Sequence, residues 1–331
     1  MDKRKKRIVR VLAPVLALLI LTALCACGDT REQKIGSAEG KPVVMCSIFP
    51  VYDLTRLVAG DRADVYQLLP PGADSHEYEP SVSDMVRCGK SDLFIYTDDE
   101  MEVWIGSFSA SIDKEKLFRC AQGIDLEELN EEWELIEHGE EHEHSEEHEH
   151  EHGHAHKYDA HIWLDPTLAM TMAENIRDRL ILLDPEGAET YRANCARLVG
   201  ELEALDRDFA ALFSAHPDAR LYFGGKFSYS HFIRRYGADY LSAFDSCGDE
   251  EEVNLASLIG MIEQMKKDKA GFVFTDEMSG GVIAEQIARE TGAKILLFHT
   301  CHTVSEKEKD LSYIDIMRRN YDNLVLALGE G

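Results

Sequence analysis

The sequence predicts an α/β protein of two lobes, each with a mainly parallel sheet, joined by one long interlobe helix. Three observations carry this. Short β-rich apolar runs alternate with helical patterns, the runs fall into a group of three before residue 100 and a group of four after residue 218, and one uninterrupted helical stripe separates the groups. With 331 residues, 44% of them hydrophobic and 29% charged, the chain is long enough for two lobes to bury a core each.

Taken in order, residues 1–26 read as a signal peptide. Lys3, Arg4, Lys5, Lys6, Arg7 and Arg10 make a positive leader, and the apolar stretch 11–24 is short for a membrane span. The segment ends Leu24-Cys25-Ala26-Cys27, which fits a lipoprotein cleavage box with Cys27 as the lipidated residue; an ordinary signal peptide or an uncleaved anchor is the alternative. Residues 27–41 are polar and rich in small side chains, as a flexible tether would be. The N-terminal lobe is expected at 42–184, with strands at 43–48, 64–69 and 92–97. A linking helix follows at 185–215, with Asp184 as N-cap and Pro185 in its first position. Its apolar stripe is Tyr191, Cys195, Leu198, Leu202, Leu205, Phe209 and Leu212. At 1.5 Å per residue such a helix spans on the order of 45 Å, enough to run along both lobes. The C-terminal lobe, 216–331, has strands at 220–224, 239–244, 271–275 and 294–298.

The formal net charge of −27 repels phosphate backbones, and the dense basic run belongs to the leader, so nucleic acid is excluded as a partner. Cys46, Cys88, Cys120, Cys195, Cys247 and Cys301 show no CxxC spacing. At most one or two bridges are expected, with Cys247–Cys301 the first guess and buried free thiols the alternative.

One segment, 125–157, cannot form a core. Fourteen acids and no Lys or Arg lie between residues 125 and 151, and His138, His142, His144, His148, His150, His152, His154 and His156 follow at short intervals. Self-repulsion and the scarcity of apolar residues predict a loop, and imidazoles beside carboxylates predict weak, fast, multi-site binding of a borderline divalent ion. The bland reading is a solvated acidic insertion.

Other histidines occupy ordered-looking positions. His76 lies in PPGADSHEYEPSVSD after the strand at 64–69; His161 lies in DAHIWLDP; His299 and His302 lie in LLFHTCHTVS after the strand at 294–298. Strand ends are where α/β sheets carry ligand groups. Imidazoles from both halves could therefore converge in a cleft between the lobes. Asp165 and Glu77 are candidate acceptors for the second ring N–H of such ligands, although Asp165 also suits the N-cap of a helix opened by Pro166.

In this order, HEYEPS, a His-rich loop, HIWLDP, LDPEGAETYRANCARLVGELEALD, HFIRRYG, AEQIARETGAKIL and SYIDIMRRNYDNL resemble the metal-binding solute receptors of bacterial ABC importers, over residues 42–328. The resemblance implies two α/β lobes, one long helix and a single metal ion in the cleft. It makes His76 the first ligand and His161 the second. The third position aligns with Lys226, a departure from the family pattern, so His231, Glu250 or Glu252 must fill that slot. The fourth falls at Cys301 or His302, and His302 is the better zinc ligand. Three imidazoles with at most one carboxylate favour Zn2+ over Mn2+. The expected protein is a monomeric, lipid-anchored, extracytoplasmic receptor that hands Zn2+ to an ABC permease and its ATPase. Alternatives are a Mn2+ receptor or surface adhesin of the same fold, or a zinc hydrolase. No HExxH, nucleophile elbow or phosphate-binding glycine motif supports an enzyme, and GGKFS lacks P-loop spacing.

Overall fold

The computed structural model describes residues 40–76, 78–109, 112–126, 159–244, 253 and 255–329. The leader, Cys27, the tether up to residue 39 and the histidines from His138 to His156 lie outside these residues, as do Glu77, Cys247, Glu250 and Glu252.

Two all-parallel sheets form the framework. Strands β1 (Val43–Cys46), β2 (Asp64–Gln67), β3 (Leu93–Tyr96) and β4 (Leu117–Arg119) are ordered β2-β1-β3-β4. Strands β5 (Arg220–Phe223), β6 (Asp239–Ser242), β7 (Phe272–Thr275) and β8 (Lys294–Leu297) are ordered β6-β5-β7-β8. The order is the same in both, so each sheet has a switch point beside its first strand, where chain connections diverge and a crevice opens at the strand ends. The strand β1 is buried at every residue. This is why the central strands β1 and β3 read as continuous apolar runs: the middle of a parallel sheet is covered on both faces and shows no alternation.

The helices begin and end where local chemistry dictates. Helix α1 (Phe49–Ala59) carries Pro50 in its first turn and stops at Gly60, φ 55°. Helix α2 (Val82–Lys90) opens with a capping box in which Ser81 and Asp84 exchange hydrogen bonds. After a single turn, α3 (Ile105–Phe108), helix α4 (Pro166–Leu183) is capped by Asp165, whose Oδ1 accepts the Thr167 N–H at 2.7 Å. Then come α5 (Ala188–Ala215), α6 (Ser230–Tyr236), α7 (Leu255–Asp268), α8 (Val282–Thr291) and α9 (Tyr313–Gly329).

The long helix α5 differs from expectation at both ends. Residues Pro185–Gly187 form a separate 3-10 turn, and the Asp184 side chain caps nothing. It instead binds the Arg62 guanidinium at 2.7 Å and accepts the Tyr191 hydroxyl at 2.9 Å. At the other end the stripe closes on Phe213 and not on Leu212, because the Phe213 ring stacks on Tyr236 at 5.7 Å and 13°. Both residues sit at permissible helical spacings from Phe209; the aromatic neighbour decides between them. Near its start α5 is tied to α1 by Asn194 Nδ2 donating to the Val58 carbonyl at 3.1 Å. Near its end Asp206 accepts from Arg235 and from the Tyr236 hydroxyl, and Arg318 of α9 binds Asp208.

One contiguous core follows from this arrangement. It joins Val44, Cys46 and Leu93 of the first sheet through Leu198, Leu202 and Phe209 of α5 to Phe223 and Phe274 of the second and to Phe298 just after β8. A satellite of Tyr222, Val273, Leu258, Met261 and Ile287 fills the space between that second sheet and α7 and α8. Cys46, Cys88, Cys120, Cys195 and Cys301 are free and buried. The expected Cys247–Cys301 bridge is thereby corrected: Cys301 packs as a small apolar side chain, 0% exposed.

Candidate metal centre

Three imidazoles converge where the two sheets' loops meet. His76 follows β2. Its loop is held by Asp74, whose Oδ1 accepts the His76 N–H at 2.9 Å, and by the Gly72 N–H donating to Thr303 Oγ1 of the other half at 2.8 Å. His161 directly precedes the 3-10 turn Ile162–Leu164. Asp159 Oδ1 accepts both its backbone N–H at 2.9 Å and Nδ1 at 2.6 Å, an Asx turn that aims the ring. His302 follows β8 through Cys301, a residue at φ 61°, in the left-handed region that costs an L-residue about 1–2 kcal/mol. That turn is braced by Trp163, whose indole N–H donates to the Thr300 carbonyl at 2.7 Å, while Tyr313 OH donates to the Trp163 carbonyl.

Ligand atoms of His76, His161 and His302 all lie within 4.8 Å of one another, the one such group among the described residues. Ring centroids are 4.5 Å apart for His161 and His302, 5.0 Å for His76 and His302, and 5.5 Å for His76 and His161. The Nε2 atoms of His76 and His302 are 3.3 Å apart. Two nitrogens on one tetrahedral ion at Zn–N of roughly 2.0–2.1 Å would be about 3.3–3.4 Å apart, so this edge already has the required length. His161 and His302 are buried, and His76 is partly exposed, which puts the way in on its side.

Electrostatics prepare the neutral ligand form. Burial, followed by His161, His76, His299 and Lys226, pushes the His302 imidazole well below its ordinary pKa, so it stays unprotonated at neutral pH. Burial opposes the Asp159 carboxylate, but the charge and hydrogen bonds of His161, with His231 behind, hold it well below the usual carboxylate range. Burial lifts Glu277, countered by His299 and by hydrogen bonds from Thr300.

Two expectations are corrected here. His231 is buried on α6 but points elsewhere: its Nε2 donates to the Asp159 carbonyl at 2.7 Å, so it props the residue behind His161 and is not among the converging ligands. Asp165 is spent on capping α4, and the acceptor behind His161 is Asp159. Asp159 escapes a reading of the sequence, although the Asp-x-His spacing of DAH is the signature of an Asx turn. His299 stands apart from the cluster, its Nδ1 accepting the Cys301 N–H at 2.9 Å. The backbone N–H of Lys226 donates to Asp276 Oδ2 at 3.0 Å and to Ser279 Oγ at 3.1 Å.

Two four-stranded parallel sheets with imidazoles from both meeting at their strand ends define a two-lobed α/β binding protein. The sequence profile of the family "Zinc-uptake complex component A periplasmic" (ZnuA) matches residues 44–327, and the chain belongs to this family. The high-affinity zinc uptake system protein ZnuA of Bacillus subtilis is 29% identical over 315 residues, 94% of each chain. The zinc-binding lipoprotein AdcA of Streptococcus pneumoniae is 28% identical over 311 residues; the match takes in 92% of this chain but 58% of that longer relative. Among solved structures, the metal-dependent lipoprotein YcdH of Bacillus subtilis superposes with TM-score 0.71 at 25% identity, covering 87% of this chain and 99% of that one. The Zn(II)-bound ZnuA-like domain of Streptococcus pneumoniae AdcA superposes with TM-score 0.69 at 25% identity and the same coverage. Among the described residues no helix is long and apolar enough to cross a membrane.

Proposed function

We infer that this protein is the extracytoplasmic receptor of a zinc importer. It captures Zn2+ between His76, His161 and His302 and passes it to an ABC permease driven by its own ATPase, while a lipid on Cys27 tethers it to the membrane. The observation that carries the reading is the convergence of three imidazoles from both halves of the chain, with a 3.3 Å Nε2 to Nε2 edge of the length zinc requires. Family membership and the zinc-uptake and zinc-binding descriptions of the relatives support the choice of cargo. Nitrogen donors favour zinc over manganese, which prefers oxygen. The chemistry is binding and release, with no covalent step. The histidines of the acidic insertion, His142, His144, His148, His150, His152, His154 and His156, add weak, fast, multi-site zinc binding.

A competitive titration of the mature protein with zinc and manganese tests this. One tight zinc site lost in His76→Ala and in His302→Ala is the expected result. Tight manganese binding with zinc excluded, or a zinc site surviving both substitutions, would overturn the assignment.

A further inference from the structure

Behind His302 lies a relay that no feature of the sequence announces. Thr300 Oγ1 is 2.7 Å from His302 Nδ1 and 2.6 Å from Glu277 Oε1. Glu277 Oε2 accepts the Thr300 backbone N–H at 2.8 Å. A hydroxyl has one hydrogen and an ionised carboxylate can only accept, so the Thr300 proton goes to Glu277. The Thr300 oxygen must then accept from His302, which places the His302 proton on Nδ1 and leaves a lone pair on Nε2, the atom 3.3 Å from His76 Nε2. The same logic holds at His161, where Asp159 Oδ1 takes the Nδ1 proton. The Asp159 carboxylate also accepts the Ser230 N–H at 3.1 Å, so these donors among the described residues are all N–H groups. Both carboxylates stand one or two hydrogen bonds behind the ligand atoms.

We propose that Glu277, acting through the Thr300 hydroxyl, is a positioning residue that fixes His302 as the Nδ1–H tautomer, and that Glu277 and Asp159 together supply the two negative charges that match the site to a dication over a monovalent ion. The proposal rests on the three-histidine reading of the preceding section. By Coulomb's law each buried anion behind the imidazoles attracts a dication twice as strongly as a monovalent ion at the same position. Replacing Glu277 by Gln reverses the relay: the amide donates to Thr300, the hydroxyl turns to donate to His302 Nδ1, and the proton moves to Nε2, where it blocks the ligand.

Zn2+ and Cu+ titrated separately against competing chelators, on the parent, Glu277→Gln, Thr300→Val and Thr300→Ser, give the test. Glu277→Gln should weaken Zn2+ about 10–100-fold and Cu+ by much less, and Thr300→Ser should recover what Thr300→Val loses. Imidazole 15N shifts of the metal-free parent should report His302 with Nε2 unprotonated, and the proton should appear there in Glu277→Gln. An Nε2–H His302 in the parent, equal losses for the two ions, or unchanged zinc affinity in Glu277→Gln would each overturn the proposal. If Glu277→Gln does not fold, the Thr300 pair and the parent spectrum decide alone. A parent without a tight zinc site, or one indifferent to His302→Ala, would sink the receptor reading instead, so the two failures are distinguishable.

Discussion

His302 combines the strongest constraints in the molecule: it is reached through a left-handed Cys301, buried, and held neutral. Neutrality has a sign. An unfolded chain protonates this imidazole near pH 6.5, whereas the folded one does so only well below that. Between the two values the unfolded state binds more protons, so the contribution to stability is full above about pH 6.5 and is lost as the pH falls. Urea denaturation of the metal-free protein at stepped pH should show this loss, and His302→Asn should flatten it. A second local constraint is Gly225. A Cβ there would lie 2.1 Å from Asp276 Oδ2, the atom that accepts the Lys226 N–H. Gly225→Ala should therefore cost about 1–3 kcal/mol in chemical denaturation by forcing the loop after β5 aside. At this scale the sequence identifies ligands better than their supports. His76, His161 and His302 stand out as imidazoles at strand ends. Glu277 does not, because 25 residues separate it from His302 and only the pairing of β7 with β8 brings their ends together.

Among the elements, seven of the eight described strands are apparent as β-rich apolar runs; β4 is not, since Leu117–Arg119 is three residues long and follows a charged Lys-Glu-Lys turn. Helix α5 is predicted from its stripe, but its start depends on the Arg62 partner of Asp184, a contact across 122 positions that no local pattern contains. Its energetics can be probed at one leucine and one glycine. Leu202 is 0% exposed, and Leu202→Ala should lower unfolding free energy by about 2–5 kcal/mol. A methyl group added at Gly200 on the same helix would meet nothing within 4 Å, and Gly200→Ala should raise stability by about 0.5–1 kcal/mol. Where β1 and β3 end, Glu102 is buried against Ser47 Oγ at 2.5 Å and the backbone N–H groups of Thr97 and Asp98, and burial lifts its carboxyl to about 7. Folded Glu102 binds its proton more tightly than the unfolded chain does, so this group's stabilisation is present below about pH 4.5 and fades as the pH rises through 7. Glu102→Gln should raise the melting temperature at pH 8 relative to the parent more than it does at pH 5.

For the whole molecule, α5 and α9 strap both sheets to one core, and the Gly72 to Thr303 hydrogen bond joins the two ligand-bearing loops. Such bracing limits cargo-linked change to loop adjustment and small tilts. Scattering curves of the metal-free and zinc-loaded protein should nearly superimpose, and a large compaction would contradict the bracing. Because neither half owns a separate interior around α5, the two should also melt as one calorimetric unit. Zinc held by a few side chains at the rim then protects distant amides from exchange throughout both halves, and proteases should find the loaded chain resistant well away from the cleft.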